Sequence, residues 1–329
     1  FHRRGYFLEG VESVCGPVHE MAVRHMLRPS TVLEVKRMAC WVKRERMDIL
    51  HAWDADSAIF GQFAASWAGI PLVTSRRDLA QIYPSYKLLL MRCADHVAKR
   101  VVMNADVLRD HFVSLGLPEN KTVLLPNLLD LTDFDEKVRL PFSREMSLPS
   151  GRRMVVVNRL DAEKNTGLLI EALPRVRERI GDAVLIIAGD GPEMKNLRTL
   201  AVRCGVEKAV CFLGEILDVP ALLSQCEAGS LVPRRNEGLS NTILEYMAAR
   251  LPVVATDCGG NRELVLERET GHLVSADASA EEVAAGWISI LTEPDLARSM
   301  GQRARQYVES SHAPDVVLQK FARFYEEIS

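Results

Sequence analysis

Residues 154–165, "MVVVNRLDAEKN", decide how the chain folds. Four apolar residues end at Asn158, a cation follows at Arg159, and a second cation stands at Lys164, where a helical period begins. A short apolar run feeding a helical period reads as a buried strand followed by a helix. The pattern repeats downstream. "AVLIIAG" (183–189), "AVCFLG" (209–214), "AGSLVP" (228–233) and "PVVATD" (252–257) read as strands, with helices at 165–179, 192–203 and 240–250. Such alternation predicts a parallel sheet with helices on both faces.

A looser series lies upstream. Strand-like runs are "PVHEM" (17–21), "DILHAW" (48–53), "PLVTS" (71–75), "RVVM" (100–103) and "TVLLPN" (122–127), with helices at 30–46, 57–68 and 83–95. The fold class is therefore α/β, with two doubly wound, Rossmann-like domains facing a cleft. The expected units are 1–140, a linker at 141–153, a second domain at 154–312 and a terminal helix over 313–329. The linker falls in "DLTDFDEKVRLPFSREMSLPSGRR" (130–153), whose mixed charge and two prolines show no sustained period. Val317, Leu318, Phe321, Phe324, Tyr325 and Ile328 give the terminal helix an apolar stripe that must pack on something, and the N-terminal domain is the expected surface. In doubly wound sheets, ligands sit beyond the carboxyl ends of the strands.

Composition narrows the partners. A chain of 329 residues is comfortable for two domains. The net charge of −3 gives no reason to expect a nucleic-acid polymer. Seven scattered cysteines without a C-x-x-C pair suit reduced thiols in a cytoplasm, and the eight histidines show no metal-binding spacing. Residues 57–75 carry no charge, but their serines, glycines and Pro71 fit a buried helix ending near Gly69 and then a strand, not a membrane span. Lys36, Arg37, Lys43, Arg44 and Arg46 cluster on the helix at 30–46. They read as its solvated face, or as a surface for peripheral contact with anionic lipid. The chain opens on Phe1 with no Met, signal peptide or first strand, so an upstream portion is expected to be missing.

The chemistry concentrates at strand ends. Arg159 and Lys164, beside a helix start, form either a diphosphate-binding place or surface ion pairs. Each close charge pair is worth on the order of 4 kcal/mol before desolvation. Gly189 and Gly191 in "IIAGDGPEMKNL" (186–197) make a tight turn that lacks the third glycine of a dinucleotide fingerprint, so they are expected to line a nucleotide cleft without binding nicotinamide. In "RRNEGLSNTILEYMA" (234–248), Glu237 lies in a loop and Glu245 on the helix that follows. They could be solvated charge, a catalytic pair, or two arms gripping one polyhydroxylated ligand. Gly238 would let the backbone approach a ligand, and the amides of Leu239, Ser240 and Asn241 would point at an anion or a sugar oxygen. "DAD" (54–56) offers either a D-x-D metal motif or, with His51, an acceptor-side position.

In order over 154–275, "NRLDAEKN", "AGDGPE", "FLG", "EGLSNTILE" and "LPVVATDCGGNRELV" resemble the marks of GT-B fold, family 4 retaining glycosyltransferases: R-L-x-x-E-K, the E-x7-E motif and the elements around them. "DILHAWDADSAIFGQFAASWAGIPLVTS" and "ENKTVLLPNLLDLTDF" fit the N-terminal half of that family more loosely. The resemblance implies a metal-independent hexosyltransferase with a UDP-, GDP- or ADP-sugar as donor, no cofactor, and a glycan, lipid or small-molecule acceptor. It implies that Glu237 holds the donor sugar and Glu245 the ribose. Arg159 and Lys164 would stabilise the leaving diphosphate, and Gly189, Gly191 and Leu213 would line the donor site. Where many relatives carry a histidine facing the transferred sugar, this chain has Arg77. The family's first strand and Gly-rich loop have no counterpart after Phe1. A cytoplasmic enzyme, peripheral on the inner face of a membrane, is the expectation.

Overall fold

The computed structural model describes residues 8–21, 23, 29–142 and 148–328. The N-terminal half runs α1 (Leu8–Cys15), α2 (Pro29–Arg44), β1 (Leu50–Ala52), α3 (Ala55–Ala68), β2 (Leu72–Arg76), α4 (Ser85–Val97), β3 (Arg100–Met103), α5 (Asp106–Ser114), β4 (Thr122–Leu124) and α6 (Leu131–Val138). Its four strands are parallel in the order β1-β2-β3-β4.

The C-terminal half continues with β5 (Arg152–Val157), α7 (Thr166–Arg179), β6 (Ala183–Ala188), α8 (Met194–Arg203), β7 (Val210–Gly214), α9 (Val219–Leu223), β8 (Ala228–Leu231) and α10 (Asn241–Ala248). Then follow β9 (Val253–Thr256), α11 (Asn261–Leu264), β10 (Gly271–Val274), α12 (Ala280–Thr292), α13 (Pro294–Ser311) and α14 (Pro314–Ile328). These six strands are also parallel, in the order β10-β9-β8-β5-β6-β7. Counted from β5, that is the doubly wound 3-2-1-4-5-6 arrangement read from its far edge, with the reversal between β5 and β8. The crevice at that reversal is where a ligand is expected.

The uncharged run 57–75 resolves as its composition required. Asp54 caps α3 in a reciprocal box with Ser57, and Gly69 ends the helix in the left-handed region at φ +76°. Nine residues of α3 are buried, and β2 is buried along its whole length. Among the described residues no helix is long and apolar enough to cross a membrane.

Three expectations change. Residues 17–21 form no strand: the Val18 amide donates to the Glu12 carboxylate at 2.9 Å instead of to a neighbouring strand, and Pro17 has no amide to offer a ladder. The irregular stretch contains α6, capped by the Asp130 carboxylate on the amides of Thr132 and Asp133 and packed on α9. Residues 143–147 of the expected linker lie outside the described residues. Finally, α14 packs on the N-terminal sheet, where Phe324 and Ile328 join Val73, Val102 and Leu125, but Leu318 of the expected stripe is exposed. Lys99 Nζ donates to the Ile328 carbonyl at 2.7 Å, so the end of the chain is tied to the first sheet.

Candidate active site

The crevice between β5 and β8 brings together two of the residues singled out in the sequence. Lys164 closes a single 3-10 turn (Ala162–Lys164) after β5, and Glu237 lies in the loop after β8. Lys164 Nζ donates to Glu237 Oε2 at 2.8 Å, with side chains 29% and 13% exposed. That exposure places the pair mostly out of water but open to a ligand. Arg159, two residues past the end of β5, is exposed and bridges to Asp161 at 3.0 Å. Ser240 caps α10 and accepts from the Ile243 amide at 3.3 Å, which leaves the first turn of that helix pointing at the crevice.

The facing wall comes from the N-terminal sheet. Arg77 follows β2, Asn104 follows β3 and Asn127 follows β4, each at the carboxyl end of its strand. Strand alternation separates neighbours here. Arg76 points inward and makes a buried two-bond ion pair with Asp95, which also accepts from Thr74 Oγ1 at 2.9 Å. Arg77 points the other way, into the cleft. Its Nη1 donates to Asn127 Oδ1 at 2.7 Å.

Asn127 is the hub between the two walls. Its Oδ1 also accepts from Asn104 Nδ2 at 3.1 Å, while its Nδ2 donates to the Leu239 carbonyl at 3.0 Å and to Asn241 Oδ1 at 2.7 Å. His312 Nδ1 donates to the Asn127 carbonyl at 2.7 Å, which adds a tie from the end of α13. Two more links cross the cleft. Gln81 and Asn236 exchange amide bonds at 3.1 and 3.2 Å, and the Glu263 carboxylate accepts from the Asp106 and Val107 amides at the start of α5. The cavity between the walls, about 390 Å³ and open to solvent, is lined by Arg77, Asn127, Arg159, Lys164, Glu237 and Asn241, among others.

The other expected residues have different surroundings. Gly238 packs against the opposite wall: a Cβ there would stand 2.0 Å from the Arg77 carbonyl oxygen. Gly189 and Gly191 pack on the backbone of Asn158 and Leu160, where a Cβ would fall 1.8 and 2.6 Å from carbonyl oxygens, so they shape the β5 loop from behind. Leu213 and Leu239 are both buried, and of the two Leu239 lines the cavity. Asp54 is committed to the α3 cap, and Asp56 pairs with Lys87 at 2.9 Å. Both nitrogens of His51 are taken, Nδ1 lying 2.6 Å from Tyr325 Oη and Nε2 2.8 Å from Ser75 Oγ. Burial, helped by the charge of Arg77, pushes the His51 pKa down to about 4, so its ring is neutral at pH 7. None of these three side chains lines the cleft cavity.

Glu245 lies half-buried on α10, and its carboxylate has no hydrogen-bonding or ionic partner among the described residues. Burial alone pushes its pKa up to about 7. The folded protein therefore keeps a proton that the unfolded chain has lost, and this group's contribution to stability falls as pH rises from its ordinary 4.5 to about 7. A ligand that donates hydroxyls to Glu245 needs the ionised form. Nucleoside diphosphate affinity is expected to rise with pH up to about 7 and to level off above it, by at most about tenfold per unit. Calorimetry of UDP and GDP on wild type and Glu245→Gln checks this: the pH dependence attributable to the residue is the difference between them. Identical profiles would remove Glu245 from the binding site.

Sequence reasoning missed Asn127, Asn104 and Glu263. For Asn127 a signal existed: a polar amide in "LPN", just past the carboxyl end of a strand.

Comparison with known proteins agrees with the geometry. The family described as "Glycosyl transferases group 1" matches residues 145–307, and "Glycosyltransferase Family 4" matches 3–133. A GDP-mannose-dependent alpha-(1-6)-phosphatidylinositol monomannoside mannosyltransferase of Mycobacterium tuberculosis is 31% identical over 252 residues, which is 71% of this chain and 65% of that protein. The chain thus spans just under two thirds of that relative's length. A phosphatidyl-myo-inositol mannosyltransferase of the same organism is 25% identical over 98% of this chain and 84% of its own length. Among solved structures, Anabaena HepE in complex with UDP superposes with a TM-score of 0.84 at 21% identity, covering 98% of this chain and 90% of that one. That likeness establishes a shared two-domain fold.

Proposed function

The chain belongs to the family 4 glycosyltransferases of GT-B fold, and from that premise we propose that it transfers a hexose from a nucleotide diphosphate sugar, with retention and without a metal ion. One observation carries the reading. The Lys164–Glu237 pair stands at the strand-order reversal of the C-terminal sheet, beside the first turn of α10 and facing Arg77 across the cleft. Glu237 accepts hydroxyls of the donor hexose, and Glu245 accepts those of the ribose. Lys164 and Arg159 exchange their carboxylate partners for the diphosphate and stabilise its charge as it leaves. The acceptor oxygen bonds to the anomeric carbon on the face from which the diphosphate oxygen departs, and the acceptor's proton passes to that leaving oxygen.

The relatives' names offer GDP-mannose as one donor, and the UDP complex of HepE offers another nucleotide. Thermal shifts across UDP-, GDP- and ADP-sugars, followed by slow donor hydrolysis in the presence of a chelator, test the proposal. The expected result is one preferred base and hydrolysis that survives chelation. Tight binding without turnover would leave a nucleotide-sugar-binding protein. Loss of turnover restored by manganese would end the metal-free reading.

The N-terminal domain also suits peripheral contact with the cytoplasmic face of an anionic membrane. Val32 and Leu33 stand exposed on α2 beside Lys36 and Arg37, and Phe63 and Trp67 of α3 border an apolar groove of about 550 Å³. Flotation with vesicles containing an anionic phospholipid should recover the wild type, but not a Phe63→Ser, Trp67→Ser variant. Equal recovery would count against this contact.

A further inference from the structure

Arg77 is a half-buried cation with no carboxylate partner among the described residues. Of its five N–H donors, one is used, on Asn127 Oδ1. Its guanidinium lies over the Trp53 ring, with Cζ 4.7 Å from the centroid, and His51 stacks on the same indole at 4.4 Å. Behind them, Tyr325 and Phe321 of α14 support His51 and Trp53. The cation is thus held in place by an aromatic ring, a neutral imidazole and an amide, none of which cancels its charge. Burial alone lowers its pKa, with no acidic neighbour offsetting that cost.

Elsewhere in the protein, buried or cleft-lining cations have anions. Arg76 has Asp95, Lys164 has Glu237, and Arg305 has Asp135 and Glu309. A fixed, partly desolvated guanidinium facing a cavity is an anion site waiting for its ligand, and its planar donor fork suits a phosphate or carboxylate. The cations assigned to the donor diphosphate, Arg159 and Lys164, lie on the other wall.

Resting on the glycosyltransferase reading, we propose that Arg77 binds an anionic group of the acceptor, so that the acceptor class is one carrying a phosphate or carboxylate close to the hydroxyl that receives the sugar. Trp53 and Asn127 are positioning residues for that guanidinium. The same anion chemistry could come from the donor's own phosphates, and the experiment separates the two sources.

Wild type, Arg77→Gln, Arg77→Lys and Arg159→Ala are titrated with UDP, GDP and ADP. Inorganic phosphate is then titrated into each protein saturated with whichever nucleotide binds the wild type. The expected result is a saturable second site for phosphate on the nucleotide-loaded wild type. Arg77→Gln weakens it by about tenfold or more and Arg77→Lys restores part of it, while nucleotide affinity stays within about twofold. Arg159→Ala should do the reverse, weakening the nucleotide and sparing the phosphate. If Arg77→Gln weakens the nucleotide as much as Arg159→Ala does, Arg77 serves the donor and the proposal is overturned. If the loaded wild type binds no phosphate, the proposal falls while the donor reading stands. If none of the three nucleotides binds the wild type, the donor reading fails, and this proposal with it.

Discussion

Replacing Glu237 with glutamine is expected to lower sugar transfer by about 10²–10³-fold, the scale seen when one transition-state hydrogen-bonding partner is removed. Nucleoside diphosphate binding should be equal or stronger. In the unliganded protein, Lys164 is bound to Glu237 at 2.8 Å, so part of its capacity for phosphate is spent inside the protein. Glutamine keeps the shape but releases the ammonium. The fold should hold, since the pair lines the cavity and not the core, and the change from carboxylate to amide alters one hydrogen bond, worth about 1 kcal/mol. A loss of that size shifts the melting temperature of a protein this large by only about 2–4 °C. Transfer assays, calorimetry and thermal denaturation of the one variant read all three quantities. Wild-type transfer, or nucleotide affinity lowered in step with transfer, would show that Glu237 does not act on the donor sugar.

The C-terminal sheet was legible because its strands are buried on both faces. "MVVVN" and "AVLIIAG" are near-continuous apolar runs, and the structure places strands at Arg152–Val157 and Ala183–Ala188. "PVHEM" misled because five residues with loose alternation can satisfy a strand pattern without a partner to pair with. α6 was hidden for the opposite reason. "LTDFDEKV" has a single buried residue, Phe134, and its stability comes from the Asp130 cap and from Arg305, which lies 170 residues away. At the site, spacing singled out Glu237, Lys164 and Arg159 as residues at strand ends but left alternatives open, and only the resemblance implied their roles. The partners of those residues were not legible. Nothing local in "LPN" says that the Asn127 amide will join Arg77 to Leu239, because that depends on how two domains meet. The same holds for Gly238, whose neighbour in the structure is the Arg77 carbonyl across the cleft.

That neighbour makes Gly238→Ala the sharpest test of the closed cleft. Gly238 has no positive φ, so alanine is tolerated by its own backbone. The obstacle lies across the cleft. The added Cβ would stand 2.0 Å from the Arg77 carbonyl oxygen and 3.3 Å from Asn104 Oδ1. Backbone cannot yield as a flexible side chain can, so the walls must part by about 1 Å or more to reach ordinary contact. Parting them would stretch the Asn127 bonds to Leu239 and Asn241 and carry Arg77 away from the reacting centre. Transfer is expected to fall by about 10²-fold, the cost of an error of that size in reactant placement. Nucleotide affinity should change little, because Arg159 and Lys164 both belong to the C-terminal wall. Small-angle scattering should show a more open molecule, and the melting temperature should stay close to that of the wild type. Gly229→Ala provides the contrast. Its Cβ would meet the fully buried Tyr246 ring at 2.4 Å inside one domain, so it should cost stability before it alters the cleft. If Gly238→Ala transferred sugar at the wild-type rate with unchanged scattering, the closure of the two walls over this cavity would have no part in catalysis.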